Sequence, residues 1–348
     1  NAIAIGTLSG ENAQVDYGIA MGREAGMNFQ RASAVAIGRL AGRNLQGISA
    51  TAIGYQAGCG SQGTMSIAIG QNSGKNSQGT NCVSIGQLAG CDDQGNNAIA
   101  IGMEAGRINQ TTDCVAIGRL AGCNAQGVGS VAVGYLAGCA DQGTYSVAIG
   151  GAAGRVSQAA SSVAIGYHAG SNVQGIASVA IGYTAGCEDQ AASAVAIGDL
   201  AGRATQGISA TAVGDNAGLN AQGSKSVAVG HYAGQTSQGA NAVAIGDVAG
   251  SGSQGVKSVA IGNAAARGSQ GTLAVAVGAD AGCNVQGNYS VAVGYRSGCA
   301  DQGAEAVAIG STAGCDDQGS YAVAIGSQAG RLDQGTQSIA IGYVSGSD

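Results

Sequence analysis

The sequence predicts an all-β fold, a parallel β-solenoid of 22 coils with 16 residues per coil, running as one uninterrupted array over residues 1–348. Three observations carry this expectation. Glycine recurs at position 6 and at every sixteenth position up to 342, with no insertion or deletion. Bulky β-branched residues stand two apart just before that glycine, which is the period of a strand and not of a helix. The large side chains that fill a globular core are missing: there is no tryptophan and a single phenylalanine, Phe29, against 65 glycines. A fixed short period marks a stacked repeat, in which each unit covers the face of the next.

Each unit opens on a segment such as Ser146-Val147-Ala148-Ile149-Gly150. Val147 and Ile149, with Val163 and Ile165 one unit later, are assigned to the inside as the core, faced by Ala153, Ala169 and Ala185. The alternate positions, Ser146, Ala148, Ser162 and Ala164, are uniformly small. A flat face of that kind lets another backbone approach closely, so these four are candidates for the interface with a sister chain, a solvated sheet face being the alternative. Gly150, Gly154 and Gly143 supply the corners. Glutamine follows eight places after the first glycine in every unit from Gln14 to Gln334. Gln142, Gln158, Gln174 and Gln190 are read as rungs of a structural amide ladder along the axis; a ligand-binding row is the other reading, and it lacks the varied neighbours that specificity needs.

The Ser-Val-Ala-Ile-Gly segment with alanine three residues later resembles the β-roll head repeats of trimeric autotransporter adhesins. Ala52-Ile53-Gly54-Tyr55-Gln56-Ala57-Gly58 is similar to the Ala-Ile-Gly-Tyr-Gln-Ala arrays in fibres of phages and large DNA viruses. The resemblance spans the whole chain. It implies a left-handed roll, a homo-oligomer with the trimer as its expected form, and an extracellular or virion-surface location. The 16-residue unit is longer than that of the bacterial heads, and the ten cysteines are foreign to them. Both features shift the expectation from a bacterial trimeric adhesin head, kept as the alternative, toward a viral or other surface fibre.

Eight cysteines (Cys59, Cys91, Cys123, Cys139, Cys187, Cys283, Cys299 and Cys315) share the slot after the second glycine. That slot elsewhere holds Arg43, Lys75, Arg107 and Arg155, so the thiols are expected at or near the surface. Cys123 and Cys139, and likewise Cys283, Cys299 and Cys315, lie one coil apart, about 4.8 Å, which is within the Cα span of a disulfide. Disulfides within a chain, cross-links between chains and stacked free thiols all stay open. Asp301, Asp317 and Asp333 fall on consecutive rungs and read as a solvated acidic strip. No metal site is expected there, because no loop offers the roughly six to eight oxygens calcium takes.

Catalysis needs unlike residues that converge at one place. His168 and His231 stand four coils apart with no second histidine, acid or nucleophile expected to converge on either, so no catalytic residue, cofactor or enzyme activity is expected. Two G-x-G-x-x-G matches, at 58–63 and 250–255, open no helix in a βαβ unit and are accidents of the repeat. A net charge of −6 with 10% charged residues leaves no footprint for nucleic acid or an anionic membrane. No apolar run is long enough for membrane insertion. Asn109 and Asn288 head glycosylation sequons. Tyr55, Tyr135, Tyr167, Tyr183, Tyr295 and Tyr343 decorate one edge, as contacts for a host or surface receptor or as isolated surface tyrosines.

The expected function is a structural or adhesive surface fibre: a rigid homo-oligomeric rod with attachment through variable turns. An ice-binding solenoid is a further alternative, weakened by the scatter of Thr64, Thr80, Thr144 and Thr272. The chain enters its first repeat part-way and shows no polar cap, so continuation into flanking polypeptide, or end-to-end stacking on another copy, is expected.

Overall fold

Sixteen residues close one turn because glycine-rich corners fold two short strands back to back. The computed structural model describes residues 1–346. It is an all-β parallel solenoid of about 21 turns with about 16 residues per turn, and no helix occurs among the described residues. The chain divides into two compact units, Asn1–Ala177 and Ser178–Asp348, each with eleven core strands of three residues. In the first unit Val131–Val133, Val147–Ile149 and Val163–Ile165 pair in parallel, with Val131, Val147 and Val163 in register. Opposite them, Ala140–Gln142 pairs with Val156–Gln158. The second unit repeats this plan: Val275–Val277, Val291–Val293 and Val307–Ile309 form one wall, and Val285–Gln286 pairs with Asp301–Gln302 on the other.

The turns are left-handed at several positions that do not carry glycine. Tyr145 has φ 55° and Ala152 φ 55°, a conformation that costs an L-residue about 1–2 kcal/mol. What it returns is alignment with the axis: the N–H of Tyr145 donates to Val128 O at 2.9 Å and that of Ala152 to Tyr135 O at 2.8 Å, both in the preceding coil. The turns therefore join the hydrogen-bond ladder as fully as the strands do. Gly150 cannot be replaced so easily. Its φ is 124°, and a Cβ built on it would sit 2.6 Å from Gly166 O, so the first glycines stack backbone on backbone. The second glycine has another cause, since a Cβ at Gly154 would meet Gln158 Oε1 at 2.6 Å.

That glutamine lies inside the coil. Gln158 reaches across its own turn, and its Nε2 donates to Val147 O at 2.9 Å; Gln142 does the same to Val131 O at 2.9 Å. Gln174 and Gln190 brace their coils likewise, to Val163 O and Val179 O at 2.8 Å each. All 21 glutamines of the column make this bond to the carbonyl eleven residues earlier. The axial amide bonds are less regular. Gln142 Nε2 donates to Gln158 Oε1 at 3.2 Å, and an unbroken run joins Gln254, Gln270, Gln286, Gln302, Gln318 and Gln334. Gln142 Oε1, by contrast, is buried without a hydrogen-bond partner. The column is first a set of cross-braces and only second a ladder.

The two faces of the core strand are the reverse of the sequence expectation. Ala148 and Ala164 are fully buried, as are Ser146 and Ser162. Val147, Val163 and Ile165 are half-exposed, and Ile149 is 39% exposed. The four small residues line the lumen and are not a surface for a sister chain; the four branched residues point outward and are not the core. Volume decides this. The braced amide occupies the space between the walls and leaves room for a methyl or hydroxymethyl group: a Cβ at Gly58 would already lie 3.3 Å from the Ala52 methyl and 2.8 Å from Gln62 Oε1. Ala153, Ala169 and Ala185 are fully buried on the facing side. Where Ser84 replaces the lumen alanine, its hydroxyl donates to Gln94 Oε1 at 2.7 Å.

Two substitutions should move stability in opposite directions. Gln158→Ala removes a buried brace and leaves a hole, so it should cost about 3 kcal/mol in denaturant unfolding. Ala266 occupies the second-glycine slot with φ 47°, and Ala266→Gly should gain about 1 kcal/mol by relieving a left-handed alanine.

Candidate functional site

The outward side chains of the core strands form the most extended chemical feature of each unit. In the first, Ile37, Ile85, Ile117 and Ile149 are exposed, and in the second Ile197, Ile245, Ile261, Ile309 and Ile325. A half-exposed Val accompanies each of them two residues earlier. Parallel in-register pairing aligns identical side chains in columns, so each unit carries two adjacent columns of branched apolar groups on a flat sheet. A soluble monomer rarely exposes a contiguous apolar patch beyond about 300–600 Å². Each of the eleven core strands per unit contributes two outward residues to this face, nearly all of them Val or Ile.

The edge beside the sheet holds the residue after each core glycine. Tyr135, Tyr167, Tyr183 and Tyr295 are all more than half exposed there. Arg39 and Arg119 lie over the rings of Tyr55 and Tyr135, 5.6 and 5.4 Å from the centroids. His231 belongs to the same column and is not isolated, contrary to the sequence expectation. Its Nδ1 lies 2.8 Å from Asp247 Oδ1 and its Nε2 3.6 Å from Asp215 Oδ2, while Asn263 Nδ2 donates to the other Asp247 oxygen at 3.1 Å. Reading the sequence down the sixteen-residue column, and not along the chain, places these four residues together.

The cysteine slot is more buried than its arginine occupants suggested. Cys91, Cys123, Cys187, Cys283, Cys299 and Cys315 are buried, and only Cys59 and Cys139 are half-buried. The correction has a simple cause: an arginine in that slot runs its stem along the coil and carries its charge out to water, whereas a thiol ends where the stem is still covered. Burial pushes the Cys91 and Cys315 thiols up to about 11. Asp301, Asp317 and Asp333 are exposed. Among the described residues no group of three or more His, Cys, Asp or Glu is arranged to hold a metal ion. Asn109 and Asn288 are also exposed, and the depression along Asn109, Thr111, Asp141 and Gly143 is an open groove.

The fold and surface thus define a repeat solenoid with an apolar sheet face. Residues 269–297 match the YadA head domain repeat, in two copies. Those copies contain the core strands Val275–Val277 and Val291–Val293. No curated protein matches the chain.

The facing of the strand can be tested one residue at a time on the monomeric chain. Ala148→Leu should overpack the lumen and cost about 3 kcal/mol or more, whereas Ile149→Thr, one residue on, should stay within about 0.5 kcal/mol of the parent. Equal losses at both positions would contradict the assignment.

Proposed function

We propose that this chain is part of an adhesin-like surface fibre, a non-catalytic homo-oligomer whose subunits associate through their Val and Ile sheets. The single observation that carries the reading is that apolar face, present in each unit and too extended to stay in water alone. The similarity of residues 269–297 to the YadA head domain repeat supports it. So does the regularity of the interior, where one cross-braced coil is copied along each unit. The association surface is therefore the opposite side of the strand from the Ser and Ala face that the sequence suggested. A trimer, with three sheets enclosing a shared core, is the assembly we assign, on the outer surface of a cell or virion. The edge columns, with their exposed tyrosines and variable turns, remain outside such a core and are the proposed attachment surface for a host or other receptor.

Sedimentation of the wild-type chain and of a triple variant tests this. Ile117→Lys, Ile149→Lys and Ile165→Lys place three cations on the sheet without entering the lumen. The wild type should sediment as an oligomer and the variant as a monomer with an unchanged β-rich circular dichroism spectrum. A monomeric wild type, or a variant of unchanged mass, would overturn the proposal.

A further inference from the structure

Among the described residues, the densest concentration of reactive groups outside the sheet is in the thiol slot. Cys283, Cys299 and Cys315 form one buried cluster on three successive coils. Cys283 Sγ lies 2.6 Å from Cys299 Sγ, about half an ångström beyond a sulfur–sulfur bond of about 2.05 Å. In the first unit Cys123 and Cys139 occupy the same slot on neighbouring coils, held in register by the parallel pairing of Asn124 with Ala140 and by the Asn124 N–H, which donates to Cys139 O at 2.8 Å. Adjacent strands bring Cα atoms to about 4.8 Å, inside the range of about 4.4–6.8 Å that a disulfide spans.

We propose that Cys123 with Cys139, and Cys283 with Cys299, are oxidative modification sites that each close to a disulfide stapling neighbouring coils of one chain. The other cysteines lack this arrangement. Cys82 and Cys114 have Ala98 between them in their column, and their thiols donate to Gly95 O at 2.8 Å and Gly127 O at 2.9 Å. Cys59 and Cys91 have Lys75 in the coil between them, and Cys187 is followed in its slot, within its unit, by Arg203. Cys315 is the third of a row whose first two members pair, and it stays a thiol. Cross-linking to another chain is disfavoured because Cys283 and Cys299 are 6% and 7% exposed and face each other.

The chemistry balances with a small-molecule disulfide such as oxidised glutathione as the oxidant. Cys139 is the attacking sulfur of the first pair, because it is the more exposed of the two. The neighbouring Cys123 thiol also draws it down, with help from Arg155 and Arg107 and against the opposing effect of burial. Cys123, the more buried of the two, is held well up by its neighbour and by burial. The Cys139 thiolate attacks one sulfur of the oxidant, the small-molecule S–S bond breaks, and one reduced thiol leaves. Cys123 then loses its proton and attacks the Cys139 sulfur of the mixed disulfide, expelling the second reduced thiol. Two protein thiols become one disulfide while the oxidant takes up two electrons as two thiols. The proposal does not depend on the fibre reading.

Tryptic mapping of the full chain after treatment with oxidised glutathione and then iodoacetamide tests it. Cleavage at arginine leaves Cys123 and Cys139 together on residues 120–155 and separates Cys283, on 268–296, from Cys299 and Cys315, on 297–331. The expected products are an unalkylated 120–155 peptide lighter by two hydrogens, and 268–296 joined to 297–331 with one alkyl group on Cys315. Cys139→Ser should leave Cys123 fully alkylated, and it should fold because Ser171 and Ser251 occupy the same slot as buried residues. Full alkylation of both pairs, persistent glutathione adducts, a loop between Cys299 and Cys315, or chain-to-chain linkage would each overturn the proposal.

Discussion

The hydrogen bond from the glutamine amide to the opposite strand is the interaction on which the rest of this structure depends. A coil with two-to-three-residue strands has too little width for a conventional apolar core. A single long polar side chain, tied at its far end, fills the lumen instead. Gln158 is anchored by its own backbone in one wall and by Val147 O in the other, which fixes the distance between the walls at the reach of one amide side chain. Once that distance is set, the other residues have little choice. The lumen positions shrink to small residues, chiefly alanine and serine, the second-glycine slot admits a side chain no larger than the methyl of Ala266, and the branched residues are driven outside.

The burial of so many amides would be costly if they were left unpaired, since a buried polar group without a partner costs about 1–3 kcal/mol. The cross-brace satisfies one donor in every coil, and the axial bonds satisfy more where the rungs meet. Repetition then does the rest. Each coil touches its neighbours and little else, so stability accumulates coil by coil, and a residue outside the lumen can change without disturbing the brace. This explains why the residue after the core glycine ranges over Arg39, Tyr135, Asp215 and His231, while the glutamine and the first glycine do not change. Surface chemistry and fold are written in separate columns.

Much of the architecture was legible in the sequence because periodicity reports geometry directly. The spacing of Gly150 and Gly166, the strand at Val147–Ile149 and the in-register stacking follow from the sixteen-residue period and the two-residue alternation within it. Alternation defines two faces without saying which one is enclosed. Assigning Val147 and Ile149 to the inside used hydrophobicity as the guide, and in a lumen this narrow volume outweighs hydrophobicity. The brace of Gln158 is not legible locally, because a stacked amide suggests bonds along the axis and nothing in the sequence reveals a carbonyl eleven residues back. His231 looked solitary for a related reason: its partners Asp215 and Asp247 are each sixteen residues away and adjacent in space. The cysteines were placed by analogy with the arginines of their slot, and the analogy failed because a short side chain ends below the surface that a long one reaches.

The central claim, that the glutamine column is enclosed and braces the two walls, is tested most directly by hydrogen exchange of the glutamine side-chain amides, read by nuclear magnetic resonance. Gln71 and Gln87 are exposed and serve as internal references. The side-chain amides of Gln142, Gln158, Gln270 and the rest of the column should exchange far more slowly than those two, and should lose that protection only when the coils open. Exchange of the column at the rate of Gln71 and Gln87 would mean that the amides face water, and would contradict the account.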